Sequence, residues 1–179
     1  MSRYSEIVIL CEDRQQEVFV RHFLVSCGIH RHRIRVRPHP QGRGAAEQYV
    51  REQYPLEVRE YRRRRQRLNI GIVVMIDADA RSVSERFDEL EDELIRVSPP
   101  GRQANERIGL FIPRRNIETW IHYLQGELVN EIDEYPKFSG NEAACRPHVA
   151  ELAERRHEPL RENAPASLRT ACDELPRIL

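Results

Sequence analysis

IGIVVMIDADARS, from Ile70 to Ser82, is an uninterrupted apolar run that ends abruptly in two aspartates, Asp77 and Asp79, two positions apart. Such a run is the pattern of a strand buried on both faces, as in parallel sheets covered by helices. On a strand, residues two apart share a face, so at its exit both carboxylates can turn toward a common cation. A lone aspartate here would read as the N-cap of the next helix, because helical spacing runs from Ser82 to Val97. A pair closing a buried strand points instead to metal or phosphate chemistry.

Outward from this strand, β-branched runs alternate with helical spacing. Glu6 to Cys11 (EIVILC) reads as a buried strand, Asp13 to Cys27 as a helix closed by Gly28, and His32 to Arg37 as an edge strand with one solvated face. Ala45 to Arg67 reads as a helical segment interrupted near Pro55, and Asn69 to Ile76 as the central strand. Ser84 to Val97 is a charged amphipathic helix, Ser98 to Asn105 a Pro/Gly loop, and Arg107 to Ile112 a strand stopped by Pro113. Ile117 to Leu124 opens another helix, and from Asn141 onward the pattern is helical with several prolines. Strands alternating with helices predict an α/β domain with a mostly parallel central sheet, right-handed crossovers and a helical C-terminal segment.

The chain has 179 residues, the size of one domain, with a core over about 5–125 and the helical segment over about 126–179. Formal net charge is zero, so a polyanion must be met by a local patch. No apolar run is long enough to span a bilayer, and the amino terminus lacks the layout of a signal peptide, so a cytoplasmic protein without membrane attachment is expected. Cys11, Cys27, Cys145 and Cys172 are too scattered for a zinc or redox motif. Lys137 is the only lysine.

In open α/β sheets ligands sit beyond the carboxyl ends of the strands. Here the first strand runs into Glu12 and Asp13, the third into Asp77 and Asp79, and the fourth into PRRNIETW, with Glu118 one turn into the helix. If these strands are neighbours, Glu12, Asp77, Asp79 and Glu118 converge, and their repulsion calls for a divalent cation. Hard oxygen donors select Mg2+ or Mn2+.

VILCE, then VVMIDAD, then IPRRNIETWI and the tail APASLRTACDEL together resemble the TOPRIM domain, in its small free-standing form similar to OLD-family nucleases of phage defence and mobile elements. The resemblance covers Glu6 to about Leu175 and implies a Rossmann-like TOPRIM fold with metal-dependent nuclease activity. It assigns metal binding to Asp77, Asp79 and Glu12, and catalytic roles to Glu12, Glu118 and Lys137. Two positions depart from the family pattern: Asp13 stands where glycine is usual, and Gln16 stands where a second acid is common. Topoisomerase and primase activities would require further domains. The implied partners are DNA, tRNA or another RNA, and a partner ATPase; a dimer is one option for the assembly. A catalytically silent TOPRIM-like module serving as a binding subunit of an ATPase complex is the alternative, and a receiver-like phosphoacceptor domain fits the position of Glu118 less well.

Arg114 and Arg115, between a strand end and Glu118, are the first candidates for a phosphate backbone, with Arg62 and Arg63 of the RRRR run as further ones. That run reads equally as a solvated helix end. The histidines lack a Ser or Cys partner constellation and read as structural, except His39, whose PHPQGRG loop is a weak phosphate signal. Trp120 is expected to pack its helix on the sheet, and Glu127, Glu131, Asp133 and Glu134 to form a solvated acidic face.

Overall fold

A computed structural model describes residues 5–40 and 45–179; the Gly42 to Gly44 loop candidate lies outside them. Among the described residues four strands, β1 (Glu6–Cys11), β2 (Ile34–Val36), β3 (Ile70–Met75) and β4 (Ile108–Phe111), form one sheet in the order β2-β1-β3-β4. Every pairing is parallel: Glu6 to Cys11 register with Ile70 to Met75, and Ile72 to Met75 with Ile108 to Phe111. The helices are α1 (Arg14–Ser26), α2 (Ala45–Arg64), α3 (Val83–Val97), α4 (Ile117–Leu124), α5 (Arg146–Glu154) and α6 (Ala166–Ile178). The fold is the expected α/β class, a Rossmann-like parallel sheet between helical layers.

Strand alternation sorts the core into two halves. Ile7, Ile9, Cys11, Val73, Met75 and Phe111 pack with α1, α4, α5 and α6, whereas Leu10, Ile72, Val74, Ile76, Ile108 and Leu110 pack with α2 and α3. Both faces of β3 are therefore apolar, which is why its sequence does not alternate. α6 packs tightly over Gly109, where a Cβ would lie 2.9 Å from Ile178 and 2.8 Å from the Phe111 ring. The free edge of β4 is covered by Glu174 of α6, which accepts from the Leu110 amide at 3.0 Å and pairs with Arg102.

The helix ends follow local chemistry. Asp13 caps α1 by accepting from the Gln16 amide, and α1 closes with Gly28 at φ +90 while the Ile29 and Gly28 amides reach back to the Leu24 and Val25 carbonyls. Ser82 and Glu85 form a reciprocal capping box on α3, so neither Asp77 nor Asp79 is that helix's cap. One expectation is corrected: α2 is not interrupted near Pro55 but runs through it. Burial of Val50, Tyr54, Val58 and Tyr61 against the sheet and α3 outweighs the hydrogen bond that proline removes.

Candidate active site

The strand order places the topological switch point between β1 and β3, because the chain leaves β1 for one side of the sheet and later returns on the other. Glu12 and Asp77 stand at the carboxyl ends of these two strands. They meet directly, the Asp77 amide donating to Glu12 Oε1 at 2.6 Å. Glu118 enters from the first turn of α4, which follows β4, and is only 1% exposed; Asp77 is 7% exposed. Asp77 Oδ1 and both carboxylate oxygens of Glu118 are buried without a hydrogen-bond partner among the described residues. Buried polar atoms left in this way are rare and mark a place where something else is bound or strain is held.

These acids perturb one another. Burial pushes Glu12 up to about 7, helped by the charges of Asp79 and Asp13 and opposed by the Asp77 amide and Arg86. Burial and the charge of Asp13 likewise raise Glu118 to about 7, opposed by its own amide and by Lys137. Asp77 lies well above the usual carboxylate range because it is buried and faces Glu12, Asp13 and Glu118.

Lys137 reaches this cluster from the segment between α4 and α5. Its Nζ lies 3.1 Å from Asp13 Oδ2, and although burial works against its charge, Asp13, Glu118 and Asp77 together raise its pKa. The structure thus gathers Glu12, Asp77, Glu118 and Lys137, four positions distant in sequence, and adds Asp13. Asp13 was legible as an acid at the exit of the first strand, in place of the family's glycine; its cap on α1 and its pairing with Lys137 were not.

Asp79 departs from the expected arrangement. The strand ends at Met75, so the rule that residues two apart share a face lapses, and Asp79 adopts a left-handed backbone with φ +54. Its side chain is 58% exposed and its Oδ2 lies 3.5 Å from Arg86 Nη2. The same turn pairs Asp79 with Arg115, itself at φ +67, in an isolated antiparallel bridge. Arg86 is a fully buried hub that sequence reading missed, since it looks like any charge on a polar helix. Its guanidinium donates to the Asp77 carbonyl at 3.1 Å and pairs with Glu47 and Glu89, tying α2 and α3 to the exit of β3.

The arginine candidates divide. Arg114 and Arg115 follow β4 and border the acids; Arg115 donates to the Asp79 carbonyl at 3.4 Å, and the buried Arg114 Nε has no partner among the described residues. Arg62 and Arg63 lie away from the acids: α2 ends where β3 begins, at the amino edge of the sheet, as the pairing of Arg64 with Glu6 at the start of β1 shows. Arg62 is also held by both oxygens of Glu106 and by the carbonyls of Ser98 and Gly101. Arg63 is exposed and pairs with Glu60, on the pole away from the acids. Glu131 is likewise no part of a solvated face, since it accepts from the Ala166 and Ser167 amides at the start of α6. His39 Nε2 lies 3.7 Å from a Glu17 carboxylate oxygen and plays no part in the cluster.

Among the described residues no three His, Cys, Asp or Glu side chains are disposed to hold a metal ion as they stand. Glu12 Oε1 is taken by the Asp77 amide and Asp79 by Arg86. The donor chemistry nonetheless suits a hard divalent cation: the groups are all oxygen, several oxygens are unpartnered, and the acids repel in a buried place. The chain matches no family model, no curated protein and no solved structure.

Proposed function

We propose that this protein is a Mg2+- or Mn2+-dependent nuclease of TOPRIM type that hydrolyses phosphodiester bonds in DNA or RNA, with a partner ATPase as the natural regulator. One observation carries the reading: Asp77 and Glu118, buried and with unpartnered oxygens, lie at the switch point beside Glu12 and the only lysine. Glu12, Asp77 and Glu118 would hold the cation, which when bound supplies Lewis-acid polarisation of a phosphoryl oxygen. Glu12 and Glu118 are raised to about 7 while no cation is bound, so a cation that enters at neutral pH displaces protons from them and its affinity rises with pH. Lys137, once released from Asp13, offers its Nζ to the charge that develops on the phosphate. Arg114, at the border of the site, would steer the phosphate backbone in.

Incubation of supercoiled plasmid and of total tRNA with the purified protein and Mn2+ or Mg2+ tests this. Cleavage of one substrate is expected, with at least a roughly hundredfold loss in Asp77→Asn and Glu12→Gln, a typical magnitude for removing one catalytic group. The second reading, a silent TOPRIM-like binding subunit, is favoured by the diversion of Asp79 to Arg86. It prevails if neither substrate is cut with either cation, alone or with a partner ATPase present.

A further inference from the structure

The face of the sheet that carries α1 and α6 holds a cavity of about 260 Å³, bounded by these helices and the segment joining α5 to α6. Its walls are apolar, with Phe23, Phe111 and Trp120 around a floor made by Met75 of β3. Protein interiors are close-packed and leave few voids larger than a water. An apolar cavity of about 150 Å³ already stays dry and takes up benzene. A cavity of this volume with these walls therefore suits an apolar guest larger than a single ring.

The mouth shows which end of that guest is polar. Arg155, Arg156 and Arg169 stand there with Glu158 and Asp173, and Glu158 is already paired with Arg155. Arg156 donates to the Ala153 carbonyl, and Arg169 to the carbonyls of Arg161 and Glu162. Among the described residues these two guanidiniums are met by main-chain oxygens and not by carboxylates. With Glu158 taken by Arg155, Arg156 and Arg169 outnumber Asp173 at the entrance, and this excess of positive charge beside an apolar cavity complements an anionic head on an apolar chain.

We propose that this cavity binds a single-chain aliphatic carboxylate of medium length, with the chain inside and the carboxylate at Arg156 and Arg169. The site is separate from the acidic cluster and does not rest on the nuclease reading. Trp120, the only tryptophan, reports on it, because it lines the cavity while its Nε1 is held by Ser167 Oγ at 2.8 Å.

The test is titration of the full chain with decanoate and, in parallel, with uncharged 1-decanol, read by Trp120 fluorescence and by calorimetry. One saturable equivalent of decanoate is expected. Affinity for decanoate should fall about tenfold in the double variant Arg156→Ala, Arg169→Ala while affinity for decanol is unchanged, the loss expected for removing charge-assisted hydrogen bonds. Ala171→Phe, which projects a ring into the cavity, should abolish binding of both; Cys172→Phe serves the same purpose if the first variant fails to melt cooperatively. Absence of saturable binding to the wild type, undiminished binding after filling, or an equal loss of both ligands in the arginine variant would each overturn the assignment.

Discussion

The chemistry of single residues is clearest at Glu118, which is buried, lacks a partner for either oxygen, and titrates at about 7. In the unfolded chain it would ionise near 4.5, so its folded pKa is raised. The folded state then binds the extra proton, and stability present below about 4.5 is lost as pH rises through about 7. Glu12 behaves in the same way, to about 7. The metal-free protein should therefore melt at lower temperature at pH 8 than at pH 5, and Glu118→Gln should flatten that dependence. At pH 8 this variant should gain about 1–3 kcal/mol, because raising a pKa by a single unit corresponds to roughly 1.4 kcal/mol. A melting temperature unchanged or lowered by Glu118→Gln at pH 8 would show that the carboxylate is held by a favourable partner. Glu12 and Asp77 were legible in the sequence as acids at strand ends, and Glu118 as an acid in the first turn of the helix after the fourth strand. Their burial and mutual repulsion were not, because those depend on how closely three separate segments approach.

Among the elements, α3 shows how much a terminus can matter. Its capping box joins Ser82 to Glu85 reciprocally, the Glu85 amide donating to Ser82 Oγ at 3.1 Å and the Ser82 amide to Glu85 Oε2 at 2.6 Å. One turn later Arg86 leaves the same helix to bind the Asp77 carbonyl. Ser82→Ala should cost about 1 kcal/mol, measured by urea unfolding, while leaving the fold intact. If the cost exceeds about 2 kcal/mol, the cap also sustains the Arg86 hub at the exit of β3. The helical spacing of this segment was plain from its sequence, and so was the apolar strand before it. Pro55 misled in the other direction: its local penalty predicts a break, yet packing of α2 on the sheet carries the helix through it. The RRRR run was ambiguous for a related reason, since only the sheet direction puts α2's end on the pole away from the acids.

For the whole molecule, the proposed cation site at the switch point would make folding and cation binding interdependent. Addition of Mn2+ at pH 8 should raise the melting temperature, by about 2.7 kcal/mol of added stability at roughly one hundred times its dissociation constant, and less at pH 5, where protons compete for the same oxygens. Asp77→Asn should remove most of the increment; an equal increment in that variant would place the cation elsewhere. No helix among the described residues is long and apolar enough to cross a membrane. The sequence by itself determined the layers: runs of β-branched residues and 3.6-residue spacing are local, and burying them permits few arrangements other than a parallel sheet between helices. It also placed Glu12 and Asp77 just beyond the exits of β1 and β3. Only the tertiary structure decided that β1 and β3 are neighbours, that Lys137 crosses to Asp13, that Asp79 turns out to Arg86, and that α1 and α6 leave a cavity between them. Each of these is a contact between segments far apart in the chain, set by strand order and packing, which no local pattern encodes.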